Sequence, residues 1–161
     1  QIMVERLKFQ GDWQRWVAFG FGSGLLPVAP GTAGTLIGIP VVILFQFLPT
    51  AVMLLGTLLI VLLSVWLAGA VTRQIGIEDH PSIVIDEIAG YVVAMTMIPL
   101  TWWTVTAGFL IFRLLDIYKP PPASWVDRNC TGGFGITADD VVAGIYTNLI
   151  MHGLLYFVGL I

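Results

Sequence analysis

Between Thr50 and Val71 the chain runs for twenty-two residues without a charge. At a rise of about 1.5 Å per residue, such a segment makes a helix long enough to cross a hydrocarbon core of about 30 Å. Composition points the same way, since 57% of the 161 residues are hydrophobic and 11% are charged, against about 25% charged in an ordinary soluble domain. Seventeen charges give thin polar cover for a soluble domain of this length, and lipid is the simpler solvent.

Four further segments read as helices. Thr35 to Leu48 is apolar but shorter and carries Gly38 and Pro40, so it either crosses a thinned bilayer or re-enters. Ile83 to Ile98 carries Asp86 and Glu87 near its start, Trp102 to Asp116 carries Arg113 and Asp116 near its end, and Asp139 to Ile161 opens on Asp139 and Asp140. The expected fold is all-α: an integral membrane bundle of about five transmembrane or partly re-entrant helices, forming one domain over residues 1–161. In an up-and-down arrangement every charge falls in residues 1–15, 73–87, 113–128 or 139–140, at one face. Arg6, Lys8 and Arg15 are among the cations that mark that face as cytoplasmic, with Trp102 and Trp103 at the opposite interface. Gln1 to Arg15 mixes Glu5, Arg6, Lys8 and Asp12 with apolar residues and lacks a signal-peptide pattern.

Several chemistries are excluded. A net charge of −3 without a basic patch argues against nucleic acid as a partner. The single cysteine, Cys130, rules out an internal disulfide and a multiple-thiolate zinc site. It is followed five residues later by Gly135 and then Ile136, so the Cys-x5-Arg loop of cysteine phosphatases is missing. Asp-x-Asp and Lys-x6-Arg-Pro are also missing, and His80 and His152 are too few for a histidine relay.

What remains are carboxylates and cations near helix ends. Asp86 and Glu87 begin an apolar helix in Ile85-Asp86-Glu87-Ile88-Ala89-Gly90, and Gly90 lies one turn beyond Asp86, where a small residue lets another helix approach closely. Acids at a helix start also complement the macrodipole, but within a membrane carboxylates are functional by default. In Phe112-Arg113-Leu114-Leu115-Asp116-Ile117-Tyr118-Lys119-Pro120, Arg113 and Asp116 share a face at i and i+3. They form either a structural ion pair or a phosphate and metal contact. Lys119, fixed by the prolines after it, either snorkels or serves the site. Thr131-Gly132-Gly133-Phe134-Gly135 reads as a flexible lead into a helix with Asp139 and Asp140, followed by Gly144. The glycine- and hydroxyl-rich segment through Thr32 and Thr35 is either an anion cradle or a capped helix start. Together Asp86, Glu87, Asp116, Asp127, Asp139 and Asp140 meet Arg73, Arg113, Lys119 and Arg128. Carboxylate oxygens suit Mg²⁺, and the cations suit a phosphate.

These motifs, with Asp127-Arg128, Gly132-Gly133-x-Gly135-Ile136-x-x-Asp139-Asp140-x-x-Ala143-Gly144, Gly20-Phe21-Gly22-Ser23-Gly24-Leu25 and Pro30-Gly31-Thr32-x-Gly34, resemble the bacterial phosphatidylglycerophosphatase A family from about Trp13 to the C-terminus. The resemblance implies a Mg²⁺-dependent hydrolase of the bacterial inner membrane, its site facing the cytoplasm. It would remove the terminal phosphate of phosphatidylglycerophosphate, with membrane lipids around it and no protein partner expected. Cys130 is a local departure that touches no expected role.

On that resemblance Asp86, Glu87, Asp139 and Asp140 are expected metal ligands, and Asp116 or Asp127 completes the shell or acts as base. Lys119, Arg113 and Arg128, with Thr32 and Thr35, are expected at the phosphate. An aspartyl-phosphate route is the mechanistic rival. Two other classes compete: a lipid-phosphate transferase, whose Asp-x2-Asp-Gly-x2-Ala-Arg signature is missing, and an ion- or proton-coupled transporter, which would carry its acids nearer mid-span.

Overall fold

A computed structural model describes residues 12–159. Arg6 and Lys8 and the reading of the first residues as signal-free lie outside the described residues. Among these the chain is helical throughout, in the order α1 (Trp13–Ala18), a 3-10 turn (Gly20–Leu25), α2 (Pro30–Phe45), α3 (Thr50–Ile75), α4 (Ile85–Met95), α5 (Trp102–Tyr118), α6 (Ala123–Asn129) and α7 (Gly132–Phe157). α7 is the hub, packing against α3, α4, α5 and α6, and its largest interface is with α4.

The helix built on the uncharged segment extends beyond the expected Val71, through Arg73, to Ile75, where Gly76 takes the left-handed closing position and its N–H bonds Thr72 O at 2.8 Å. α3 is the one helix among the described residues long and apolar enough to cross a membrane. Only 28% of its most apolar eighteen residues are buried, and Leu54, Leu55, Leu58, Leu59 and Leu62 face outward. A core helix of a soluble protein would hide these side chains, so the architecture is consistent with a helical membrane protein.

Three expected boundaries move. α2 starts at Pro30, since proline is suited to the first turn of a helix, and ends at Phe45. α4 covers Ile85–Met95, eleven residues or about 16 Å, which is too short to span. α7 starts at Gly132, so Asp139 and Asp140 lie about two turns inside the helix instead of opening it. The glycines before them are packing devices. A Cβ at Gly133 would strike the Val65 carbonyl of α3, and one at Gly135 would strike the Cys130 carbonyl.

Breaking α4 early leaves carbonyls at its end without helical partners. Asn148 of α7 supplies the donor: its Nδ2 lies 2.8 Å from Thr96 O and 3.0 Å from Ala94 O. Asn148→Ala is expected to destabilise the protein by about 1 kcal/mol, read as a lowered melting temperature in detergent. An unchanged melting temperature would remove this role.

Contacts gather the described charged segments at one end. Arg15 bonds Gln74 at 3.0 Å, Glu78 accepts from the Gly132 N–H at 2.8 Å, and Lys119 bonds Asp139 at 2.6 Å. The other end holds Gln46, Thr50, Met97 and Pro99 around an uncharged cavity of about 290 Å³.

Candidate active site

The start of α4 is clamped from two sides. Val84 N–H bonds the Ala18 carbonyl at 2.9 Å, and Gly34 of α2 packs against Val84 so closely that an added Cβ would lie 2.6 Å from its Cβ. Asp86 and Glu87 therefore project from a fixed first turn, where free N–H groups favour anions.

α4 and α7 both begin at the charged end and meet at glycines. A Cβ on Gly144 would fall on the Gly90 carbonyl, and one on Gly90 would lie 2.8 Å from the Asp140 carbonyl and 2.7 Å from Phe112 Cζ. Asp86 sits four residues before Gly90, and Asp140 four residues before Gly144, so this backbone contact brings the two acids face to face. Asp86, Glu87 and Asp140 each offer a carboxylate oxygen, all within 4.8 Å of one another. Asp86 is 7% exposed and Asp140 3%. Asp86 Oδ1, Glu87 Oε2 and Asp140 Oδ2 are buried with no hydrogen-bond partner. Close buried carboxylates repel unless a cation intervenes, and an all-oxygen donor set suits a hard divalent ion.

Arg113, Asp116 and Thr35 lie next to this trio. Arg113 pairs with Asp116 one turn along α5, and its Nη1 lies 3.5 Å from Thr35 Oγ1, which donates to the Gly31 carbonyl at 2.9 Å. Gly31 has no room for a side chain, because a Cβ would meet Glu87 Oε1 and lie 3.1 Å from Arg113 Nη2. Asp116 lies beside Asp140. Thr32 is half-buried in the first turn of α2.

Asp139 is not part of the trio. Successive helical residues diverge by about 100°, and Asp139 turns to Lys119, which lies 2.6 Å from it and 2.5 Å from Asp127. Lys119 closes α5 in the left-handed conformation, φ 44°, which costs a non-glycine residue about 1–2 kcal/mol. Burial works against its ammonium, but the ion pairs with Asp127 and Asp139 outweigh burial and hold its pKa above the ordinary lysine value. Arg128 is exposed on α6.

A cavity of about 180 Å³ opens on the Asp139 side, lined by Glu78, Asp79, Asp127, Arg128, Thr131 and Asp139. Glu78 and Asp79 were not expected at the site. Their signal was present as a third adjacent acid pair besides Asp86-Glu87 and Asp139-Asp140, followed by His80, whose buried ring accepts from Ser82 N–H at 3.2 Å.

Fold and site together define an all-helical protein with a buried carboxylate trio edged by arginine and lysine, the furniture of phosphoryl chemistry. The family model of phosphatidylglycerophosphatase A matches residues 16–155, and the chain belongs to that family of phosphatases. It is 44% identical over 159 residues to phosphatidylglycerophosphatase A of Escherichia coli (strain K12), covering 98% of this chain and 90% of the relative. The phosphatidylglycerophosphatase A of Haemophilus influenzae is 42% identical over 143 residues, 88% of each chain. No solved structure matches.

Proposed function

We propose that this chain, as one membrane-embedded domain, removes the terminal phosphate of phosphatidylglycerophosphate at the cytoplasmic face of a bacterial inner membrane. Its products would be phosphatidylglycerol and inorganic phosphate. The observation that carries the reading is the trio of buried carboxylates, each with an oxygen that has no partner, in a chain similar to two proteins named for this activity.

Asp86, Glu87 and Asp140 would hold Mg²⁺. A bound magnesium ion supplies positive charge that polarises the phosphoryl group and favours deprotonation of an attacking water. Arg113, oriented by Asp116 and Thr35, meets the phosphomonoester and balances charge gathering on its oxygens in the transition state. Lys119, an ammonium held between Asp127 and Asp139, would add a second positive charge near the phosphate. Asp116, beside Asp140 and paired with Arg113, would take the proton from water, while Asp127 pairs with Lys119. The arms of the lipid stay outside against the apolar surface of α3 and its neighbours. Coupled transport, the alternative use of such acids, gains no support from the family.

Phosphate release from phosphatidylglycerophosphate in mixed micelles tests the assignment. Release with Mg²⁺ and its loss on chelation, restored by added Mg²⁺, are expected. Folded protein that releases no phosphate in either condition defeats the enzyme reading, and release unaffected by chelation defeats the metal.

A further inference from the structure

The cavity lined by Asp139 has an electrostatic character that limits what it can take. Four acids, Glu78, Asp79, Asp127 and Asp139, line it against one cation, Arg128, and this balance disfavours a phosphate within it. A second cation is disfavoured as well, because the Lys119 ammonium already occupies the Asp127 and Asp139 carboxylates at 2.5 and 2.6 Å. A neutral hydrogen-bond donor is what fits such a wall.

Asp139 carries the second observation. It is 5% exposed and lines the cavity; with Lys119 on Oδ2, its Oδ1 is buried without a hydrogen-bond partner. A buried carboxylate oxygen in that state costs free energy until a donor reaches it. The exposed Arg128, near the end of α6, also lines the cavity.

Resting on the phosphatase reading, we propose that this cavity receives the glycerol segment of the head group and that Asp139, held by Lys119, accepts a hydrogen bond from its free hydroxyl. Asp139 is then a specificity-determining residue rather than a metal ligand. The terminal phosphate lies toward the trio and Arg113, the hydroxyl-bearing carbons lie in the cavity, and the phosphodiester passes Arg128 on its way to lipid. The site therefore selects phosphomonoesters whose linker carries a hydroxyl. A site built to bond a hydroxyl rejects the analogue that lacks it far more strongly than an apolar pocket rejects an extra group.

The test compares phosphatidylglycerophosphate with its deoxy analogue, in which 1,3-propanediol replaces the head-group glycerol, for the wild-type protein and Asp139→Ala. Wild-type kcat/KM should favour the hydroxylated lipid by about 10- to 100-fold. In Asp139→Ala the ratio should fall to about 1, whatever the change in absolute rate, and the Mg²⁺ concentration for half-maximal activity should stay put. A wild-type ratio near 1 overturns the proposal without reference to any variant. So does a variant that loses both substrates equally while keeping the wild-type ratio, or one whose Mg²⁺ requirement rises tenfold, which would make Asp139 a ligand. Failure to release phosphate from either lipid overturns the phosphatase reading, and this inference with it.

Discussion

Asp140→Asn is expected to lower turnover by roughly 10³-fold while leaving the metal-free protein at least as stable as wild type. Asparagine keeps the shape of the side chain but removes one of the three charges that meet within 4.8 Å. Without a cation those charges repel in a buried setting, so neutralising one relieves the fold. With a cation the same change weakens the site, leaving the phosphoryl group without its main source of positive charge. Activity and stability should therefore move in opposite directions, which a residue kept for packing does not do. Steady-state rates and thermal melts in the presence of chelator separate the two effects. Near-normal turnover would remove Asp140 from the machinery.

Gly144→Ala carries the second large effect, and it contains no chemistry. The new methyl group would fall on the Gly90 carbonyl and lie 3.2 Å from Val93 Cβ. Because the contact is backbone against backbone, no flexible side chain can give way, and α4 must move off α7. Overpacking of this kind costs about 1–3 kcal/mol. The larger consequence is at the site, where Asp140 separates from Asp86 and Glu87. A loss of about 10²-fold or more in kcat/KM is expected, with a raised Mg²⁺ requirement as the sign that the trio has opened. Gly153, by contrast, has open space where its Cβ would be, so Gly153→Ala in the same helix should leave the rate unchanged.

The glycines show how far the sequence could be read. Gly90 one turn after Asp86, and Gly144 one turn after Asp140, already implied a close crossing that would gather acids from two helices, and the backbone contact follows that pattern. Arg113 and Asp116 at i and i+3 could be placed on one face for the same geometric reason, and they pair. Asp139 was harder. With the last helix taken to begin at Asp139, both acids of the pair sit at a frayed end and can turn to one ligand. Starting the helix at Gly132 fixes their directions, and one goes to the trio while the other goes to Lys119. That boundary was hidden because Gly132, Gly133 and Gly135 resemble a flexible lead, whereas Gly133 and Gly135 are small to admit Val65 and Cys130 backbone. Glu78 and Asp79 escaped notice because a loop has no periodicity from which to read a face. The short α4 was equally illegible, since its end depends on Asn148 reaching in from α7 to satisfy carbonyls more than fifty residues away in sequence.

Anomalous diffraction from crystals grown with Mn²⁺ in place of Mg²⁺ tests the central claim most directly. One peak bounded by Asp86, Glu87 and Asp140 in the wild-type protein, absent in Asp140→Asn, is the predicted result. A peak between Asp127 and Asp139, or none in crystals of protein that hydrolyses its lipid, would contradict it.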